Sequence, residues 1–392
     1  MKIESIKLTN YRAFKEAELI DIPSFCIIVG VNGAGKPTLF DVFGFLKDAL
    51  TENVYKALSK RGGFNEVRSR SSEGPIVIEL KFRENDTAPL ITYFLSINEE
   101  NNIPFVEQEI LKYRRGSGGQ PWQFLNFSRG KGFAVTNELD GVKDISELKR
   151  ENQELANPDI LAIKGLAQFK QFPAVMKFGQ MIENWHVSDF HINNARQVQQ
   201  DGYAEHLSRE GENLSLVTQF LYERHRETFN TILDKLKERV PGIKEVTATV
   251  TEERRVLLKF KDGNFENPFL ARYVSDGTIK MFAYLVLLYD PSPFPLLCVE
   301  EPENQLYPKL LEELAEEFRM YANKGGQVFV STHSPDFLNA ALINEVFWLV
   351  KEKGYTGIKK ASENEQIKAY INDGDKMGYL WKQGFFDGAD PL

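Results

Sequence analysis

Cysteine is scarce in this sequence: 2 of 392 residues are too few for a disulfide scaffold and indicate a reducing compartment. Long apolar runs are also missing, because no stretch of about 18 uncharged apolar residues occurs, and a membrane-spanning helix is therefore not expected. Repeats and low-complexity tracts are absent, which argues against fibrous and disordered classes. Basic charge is not in excess, because 48 Lys and Arg are outnumbered by 56 Asp and Glu. The net charge of −8 argues against non-specific wrapping by nucleic acid as the whole function, although it does not exclude a local basic groove. Since the start also lacks an apolar signal-peptide core, we expect a soluble, cytoplasmic protein without a membrane partner.

The hydrophobic pattern changes several times along the chain, whose length predicts two or three domains at ~150 residues each. Short continuous apolar runs predict buried strands at 25–29, 296–299 and 327–331. Period-two alternation predicts an edge strand at 3–8, an antiparallel β region at 75–135 and a hairpin near 246–260. Apolar residues at helical spacing predict helices at 39–50, 279–289 and 307–321, and a helical block over 145–239.

A glycine-rich loop follows the predicted strand at 25–29. Residues 30–38 read G-V-N-G-A-G-K-P-T, close to the phosphate-loop template G-x-x-x-x-G-K-[ST]. The glycines allow backbone N–H groups to surround a triphosphate, the helix that follows directs its positive end at the same anion, and Lys36 reaches the β and γ phosphates. The strand before the loop and the helix after it are the context that this motif requires.

Pro37 departs from the template, which places Ser or Thr after the lysine to coordinate Mg²⁺. Proline is tolerated in the first turn of a helix, so we expect Pro37 to affect Mg²⁺ coordination and hydrolysis rather than folding. Three outcomes stay open: Thr38 substitutes for the missing hydroxyl, water fills the coordination position, or hydrolysis is slow.

Two further runs carry polar chemistry. Ser275, Asp276 and Gly277 precede a predicted helix and form a candidate second anion-binding N-terminus. The strand 296–299 ends in Glu300 and Glu301, and such a carboxylate pair beside a phosphate loop typically holds Mg²⁺ with the first acid and orients or deprotonates the attacking water with the second.

A histidine ends the next predicted strand. His333 follows the run at 327–331, where a neutral imidazole is able to hydrogen-bond both a γ-phosphate and the attacking water. One histidine alone is weak evidence, but four elements in this order are specific.

The order of phosphate loop, S-D-G, strand-E-E-P-E-N and strand-S-T-H-S-P resembles the ABC-type ATPase heads, in particular the RecF-like and overcoming-lysogenisation-defect ATPases in a small form without a nuclease domain. Residues 8–14, L-T-N-Y-R-A-F, also resemble the opening of that group. The resemblance implies an α/β fold: a P-loop ABC-type ATPase head with an antiparallel β lobe and a helical insert. The corresponding boundaries are 1–70 and 243–392 for the ATPase core, 71–135 for the β lobe and 136–242 for the insert.

The resemblance also implies site roles, with ATP and Mg²⁺ as cofactors. The residues expected to bind the nucleotide are Gly30, Asn32, Gly33, Ala34, Gly35, Lys36, Thr38 and Arg12, together with Ser275, Asp276 and Gly277, which meet the ATP of a second subunit. The residues expected to act in catalysis are Glu301, His333 and Lys36, and those expected at the metal are Glu300 and Thr38. Glu303 and Asn304 correspond to a dimer-facing loop, and 62–68 is the candidate region for the glutamine loop.

These roles imply a homodimer or higher homo-oligomer closed by ATP. The first functional hypothesis is an ATPase that regulates a separately encoded effector, for example a nuclease, in defence against phage or mobile DNA. The alternatives are a RecF-like DNA-repair ATPase that clamps DNA, and a nucleotide-held scaffold with little turnover because of Pro37. A transporter subunit is disfavoured, because the S-D-G signature and the large middle insert do not resemble transport cassettes.

Several other features admit a plain explanation. Basic residues that alternate with aromatic ones suggest DNA contact, although solvated hairpin turns are the commoner explanation: Lys60, Arg61, Arg68, Arg70, Arg114, Arg115, Arg129 and Lys131, near Trp122, Phe124 and Phe127. His186, Asp189 and His191 invite a metal hypothesis, but we favour a strand or loop because a third tightly spaced ligand is not visible. Cys26 and Cys298 are expected to be buried, and the aromatic tail at 378–387 is expected to pack on the core.

Overall fold

The computed structural model describes residues 2–85, 87–113, 121–136 and 147–389. The strands, numbered along the chain, are β1 (Lys2–Tyr11), β2 (Phe14–Leu19), β3 (Phe25–Val29), β4 (Ile76–Arg83), β5 (Ile91–Glu100), β6 (Ile103–Tyr113), β7 (Trp122–Ser128), β8 (Lys131–Val135), β9 (Arg150–Glu154), β10 (Trp185–Ser188), β11 (Gln199–Gln200), β12 (Ile243–Val250), β13 (Arg255–Asp262), β14 (Phe269–Leu270), β15 (Leu296–Glu300), β16 (Gln327–Thr332), β17 (Val346–Glu352) and β18 (Tyr355–Lys360). The α-helices are α1 (Lys36–Thr51), α2 (Val54–Ser59), α3 (Phe64–Val67), α4 (Ala162–Leu166), α5 (Pro173–Glu183), α6 (Ile192–Ala195), α7 (Leu214–Arg224), α8 (Arg226–Arg239), α9 (Asp276–Leu288), α10 (Lys309–Asn323), α11 (Pro335–Leu338), α12 (Glu365–Asn372) and α13 (Met377–Lys382). Short 3₁₀ helices lie at Ala271–Tyr273, Ile343–Glu345 and Ala361–Glu363.

A mostly parallel sheet carries the predicted motifs. Its strand order is β10-β15-β16-β3-β17-β18, and only β18 runs antiparallel to its neighbour. The central strands β3, β15 and β16 are apolar along most of their length because helices or the second sheet cover both of their faces. Alternate residues of β3 accordingly enter two cores: Cys26 and Ile28 pack with α1, whereas Phe25, Ile27 and Val29 pack with α9 and α10. The three buried strands predicted from sequence are confirmed.

A second sheet is antiparallel, with the order β2-β1-β4-β5-β6-β7-β8-β9. It extends beyond the predicted lobe at 71–135, because β1 pairs with β4 and β9 pairs with β8. The prediction that 3–8 forms an edge strand is wrong, since β1 is paired on both sides, with β2 and with β4.

The predicted helical block also contains strand structure. Besides β9, it includes β10, whose four residues pair in parallel with Leu296–Val299 and so belong to the parallel sheet. A strand of four residues offers too few alternations for a sequence signal. The hairpin expected near 246–260 is confirmed as β12 and β13. The short strands β11 and β14 pair with β13 and complete a small third sheet.

Gln327 ties the two sheets together. Its side-chain oxygen accepts a hydrogen bond from the N–H of Ile3 at 2.8 Å, and its amide nitrogen donates to the carbonyls of Ile3 at 2.9 Å and Pro23 at 3.2 Å. The first strand of the antiparallel sheet is thereby bonded to the first residue of β16.

Glu109 is a fully buried acid on β6 within the antiparallel sheet. Its carboxylate accepts hydrogen bonds from the N–H groups of Ala162 and Ile163 at the start of α4 and from the hydroxyl of Tyr93. Burial raises the pKa of Glu109 to about 7, although these hydrogen bonds oppose the shift.

This raised pKa predicts a pH-dependent stability. Between about pH 4.5 and 7 the folded protein keeps the Glu109 proton that the unfolded chain releases. The contribution is therefore complete below the unfolded pKa and is lost as pH rises through the folded one, at up to about 1.4 kcal/mol per pH unit. Glu109→Gln should remove this component from urea unfolding measured between pH 5 and 7.5. Glu107→Gln, on the same strand, is the control, and an unchanged slope in Glu109→Gln would contradict the assignment.

Candidate functional site

The phosphate loop lies between β3 and α1, as predicted. Gly33 and Gly35 have φ values of +79° and +104°, which side-chain-bearing residues rarely adopt. At Gly30 a Cβ atom would lie 3.1 Å from the Cβ of Ala34 and 3.2 Å from the carbonyl oxygen of Leu349. The Thr356 hydroxyl donates to the Ala34 carbonyl at 2.8 Å, so β18 fixes the outer side of the loop.

Lys36 lies inside this loop, with 3% of its surface exposed. Its Nζ donates to the Gly30 carbonyl at 2.6 Å. Burial lowers its pKa, while Glu301 and Glu303 act in the opposite direction. A phosphate is a stronger acceptor than a carbonyl, so this ammonium is suited to a triphosphate.

The start of α1 fits an anion. Gly35 caps the helix, and among the described residues no side chain accepts from the amides of its first turn. Asn32 and Gly33 are exposed beside it. The Thr38 hydroxyl and the Glu300 carboxylate, which are predicted to hold Mg²⁺, are oxygen donors of the type that this ion requires. Pro37 occupies the first turn of α1 and has no side-chain atom that could coordinate the ion.

Arg12 lies next to the loop, because a Cβ at Gly35 would touch Ala13 at 3.5 Å. The Arg12 guanidinium pairs with Asp41 of α1 at 3.1 Å, and the backbone N–H of Arg12 donates to the Val67 carbonyl at 2.7 Å. These contacts place the segment 62–68 against Arg12, at one side of a cleft of about 210 Å³.

Glu300 is the last residue of β15, and Glu301 follows it directly. Burial raises the pKa of Glu300 to about 7, and the neighbouring Asp189 adds to the shift while Arg209 opposes it. Glu301 has φ +42°, a strained value for a residue with a side chain. Its Oε2 accepts a hydrogen bond from the Asn304 amide at 3.0 Å, so the turn that follows the strand holds this side chain.

His333 lies beside Glu301 and Glu303. Its Nδ1 lies 3.3 Å from Oε1 of Glu301 and 3.4 Å from Oε1 of Glu303. Oε1 of Glu303 accepts hydrogen bonds from the backbone N–H of His333 and from the Thr332 hydroxyl, each at 2.8 Å. The other oxygen, Oε2, is buried without a hydrogen-bond partner in the described part of the chain. Glu303 thus points inward to the histidine, whereas Asn304, the other residue of the loop expected to face a second copy, is exposed.

The S-D-G run forms the N-terminus of α9. The hydroxyl of Ser275 accepts from the Thr278 N–H at 3.3 Å, which makes Ser275 the helix cap. A Cβ at Gly277 would lie 3.0 Å from the carbonyl oxygen of Gln305, so a side chain there would press on the turn after β15.

Two residues that sequence reasoning did not connect with this site line a cleft of about 340 Å³ together with Asp276, Glu300 and Glu301. Lys280 on α9 donates to the Asn304 carbonyl at 2.8 Å and approaches that of Glu301 at 3.4 Å. Burial lowers its pKa to about 8, although Glu303 and Glu301 oppose the shift. Asp189 follows β10 directly. The available signals were a lone lysine in an apolar helix and an acid at the end of a short strand.

The basic clusters are largely neutralised. Carboxylates lie within ion-pair distance of five of these cations, Lys60, Arg61, Arg70, Arg129 and Lys131. Arg68 bonds to the Asn65 side chain, and Phe124 and Phe127 are buried. Arg114 and Arg115 lie outside the described residues. The surface therefore gives little support to the DNA-contact explanation.

The remaining expectations have plain outcomes. His186 is buried on β10, and no group of three or more His, Cys, Asp and Glu residues in the described ranges is arranged to hold a metal ion. Cys26, Cys298, Trp381 and Phe386 are buried as expected. Over the residues that the structure describes, none of the helices has the length and apolar character needed to cross a bilayer.

The parallel sheet, the phosphate loop and Glu301 facing His333 define a P-loop ATPase head of the ABC type. The chain belongs to the family described as "AAA domain, putative AbiEii toxin, Type IV TA system", which it matches over residues 25–339. The resemblance to ABC-type ATPases of the RecF-like and overcoming-lysogenisation-defect group is confirmed.

Individual relatives agree with this family. The chain is 21% identical to the Old nuclease of Escherichia phage P2 over 96% of this chain and 64% of that protein. It is 31% identical to the DNA double-strand break repair Rad50 ATPase of Pyrococcus abyssi over 30% of this chain and 12% of that protein. The chain thus spans less than two thirds of the length of these curated relatives.

A solved structure shares the fold. The SMC head bound to the C-terminal winged-helix domain of ScpA superposes with a TM-score of 0.57 at 12% identity, covering 94% of this chain and all of that one. The predicted α/β class and ABC-type head are confirmed.

Proposed function

We propose that this chain binds and hydrolyses ATP between two copies of itself and thereby regulates a separately encoded effector, such as a nuclease, in defence against phage or mobile DNA. The observation that carries the ATPase part is the approach of His333 to Glu301 at 3.3 Å beside the loop that buries Lys36. The effector part is supported by similarity alone: the family's description mentions a toxin, and the phage relative is called a nuclease.

Each residue of the site has a defined task in this proposal. Lys36 and the loop amides bind the phosphates. Glu301 accepts the proton of the attacking water, and His333 holds the water and the γ-phosphate in position. Glu300 and Thr38 would hold Mg²⁺, which neutralises charge on the phosphates when it is bound.

A second copy is supported by exposed aromatic residues near the signature. Tyr273, two residues before Ser275, is 69% exposed, and Tyr307, three residues after Asn304, is 71% exposed. Exposed aromatic side chains are enriched at protein interfaces. Two copies facing each other would bring Ser275 of one to the phosphate loop of the other.

The proposal is tested by phosphate release from the purified protein with Mg²⁺ and ATP, beside its mass in solution with and without ATP. We expect turnover together with an ATP-linked increase in mass. ATP binding with assembly but without phosphate release would favour the scaffold alternative. DNA binding that ATP strengthens and salt weakens would favour the RecF-like clamp, which the partial match to Rad50 supports.

Pro37→Ser is expected to raise turnover, because the serine hydroxyl restores the usual Mg²⁺ ligand. Pro37 is exposed in the first helical turn, so the exchange should cost little stability. A gain of about tenfold would correspond to about 1.4 kcal/mol of transition-state stabilisation. Phosphate release is compared with that of Pro37→Ala, which removes the ring without adding a ligand. Equal rates for the two variants would show that the missing hydroxyl at residue 37 does not limit hydrolysis.

A further inference from the structure

Arg196 holds both neighbours of the signature serine. Its Nη2 donates to the carbonyl of Val274 and lies 2.6 Å from Oδ1 of Asp276, the residues immediately before and after Ser275. We infer that Arg196 is a positioning residue that sets Ser275 for the ATP bound to the opposite copy. This inference rests on the proposed function, in which the signature acts across a pair of chains.

The arginine is itself well fixed. It follows α6 directly, and Ile192 and Ala195 of that helix are buried in the core shared with α9. The guanidinium is mostly buried, and its Nη2 contacts both the carbonyl and the carboxylate, while its Nε is buried without a hydrogen-bond partner among the described residues. Ser275 therefore lies between two anchored residues, and its extended backbone is held where α9 begins.

Charge gives the contact a second effect. Asp276 is a half-exposed acid in the first turn of α9, at the helix end predicted to meet a triphosphate. An unpaired carboxylate there would repel the phosphates of the incoming nucleotide. The ion pair with Arg196 neutralises it, while the N–H groups of the helix end retain their affinity for an anion.

The side-chain polar contacts of Arg196 within the described residues involve the signature segment, and the phosphate loop and the Glu301–His333 pair are bonded to other groups. Loss of Arg196 should therefore leave ATP binding to a single copy intact and weaken the closing of two copies around ATP. The defect should also be corrected by a normal signature supplied from the other copy.

The first experiment measures assembly in the Glu301→Gln background, where ATP is retained. Adding Arg196→Met should raise the ATP concentration needed for half-maximal assembly by at least about tenfold, with ATP affinity of the single chain unchanged. With Arg196→Lys, the ATP concentration for half-maximal assembly should lie between the values of the Glu301→Gln background and of the Arg196→Met variant. Adding Asp276→Asn to Arg196→Met should restore part of the assembly by removing the repelling charge. The matched control is Arg83→Met, because Arg83 also bonds one carboxylate, Glu4, and one carbonyl, that of Ala88, but lies on β4.

The second experiment mixes two impaired proteins at an ATP concentration too low for Arg196→Met to assemble by itself. A pair of Arg196→Met with Glu301→Gln contains one site with an intact phosphate loop, an intact Glu301 and an intact signature. An equimolar mixture should release phosphate at up to about a quarter of the unmodified rate, because random pairing makes half of the pairs mixed and leaves one intact site in each. Ser275→Ala mixed with Glu301→Gln sets the recovery that a signature defect gives.

The outcomes distinguish failure of the proposed function from failure of the role given to Arg196. If Glu301→Gln itself does not assemble with ATP, the proposed function fails and the inference fails with it. If it assembles, and Arg196→Met assembles equally well, only the role of Arg196 is overturned. Weak ATP binding by Arg196→Met alone, or recovery below that of Ser275→Ala in the mixture, likewise overturns it, since the defect would not lie in the signature.

Discussion

Glu301→Gln is expected to lower phosphate release by at least about 100-fold while ATP binding persists. Glutamine keeps the size of the side chain and an oxygen that accepts the Asn304 amide, but it takes up no proton from water. Loss of a positioned general base typically costs a factor of about 100 to 10,000. Because ATP then stays intact, the assembled form should accumulate.

The measurement is single-turnover phosphate release, with mass in solution recorded on the same samples. Glu312→Gln removes an exposed carboxylate on α10 and should leave both readouts unchanged. Residual turnover above about a tenth of the unmodified rate would mean that another group takes the proton. The neighbouring candidate would then be Glu300, whose pKa burial raises to about 7.

Lys36→Ala is expected to weaken ATP binding by at least about 100-fold. The ammonium is buried in the phosphate loop, and hydrogen bonds to charged groups contribute about 1.5–3 kcal/mol each, so the loss of two to the triphosphate gives an effect of this size. The fold should survive, since within the protein the Lys36 ammonium bonds chiefly to the Gly30 carbonyl.

Lys47→Ala is the matched control for this variant. Lys47 lies on the same helix α1 and donates to the carbonyl of Trp185, away from the loop. Nucleotide affinity, measured by titration calorimetry, should be unchanged in Lys47→Ala. If Lys36→Ala binds ATP within threefold of the unmodified protein, the phosphate-loop assignment is incorrect.

Local signals made the core of the site predictable. The phosphate loop depends on glycine positions within one turn of chain, and β15 and β16 each end next to their functional side chains, Glu301 and His333. Parallel strands bring such ends to one edge of a sheet, so the grouping follows once the strands are recognised. Sequence order and strand type were sufficient for these residues.

The missed features depend on pairing between distant segments. The position of β1 inside the antiparallel sheet is set by β4, and the position of β10 is set by β15, neither of which is encoded locally. Arg196 reaches the signature from a short helix with little periodicity. Glu303 points inward because a buried backbone N–H and a hydroxyl need an acceptor, a demand visible only once β16 is in place.

The topology of the parallel sheet also determines when the molecule becomes competent during synthesis. Strand β3 ends at Val29, yet both of its neighbours, β16 and β17, are made after residue 326. Pairings so distant in sequence form slowly and only after a large loop has been closed. A nascent chain therefore carries an unpaired apolar strand until β16 and β17 have been made, and until then its phosphate loop has no finished sheet to support it. We therefore expect a fragment that ends before β16 and β17 not to hold the phosphate loop in place and not to compete for ATP.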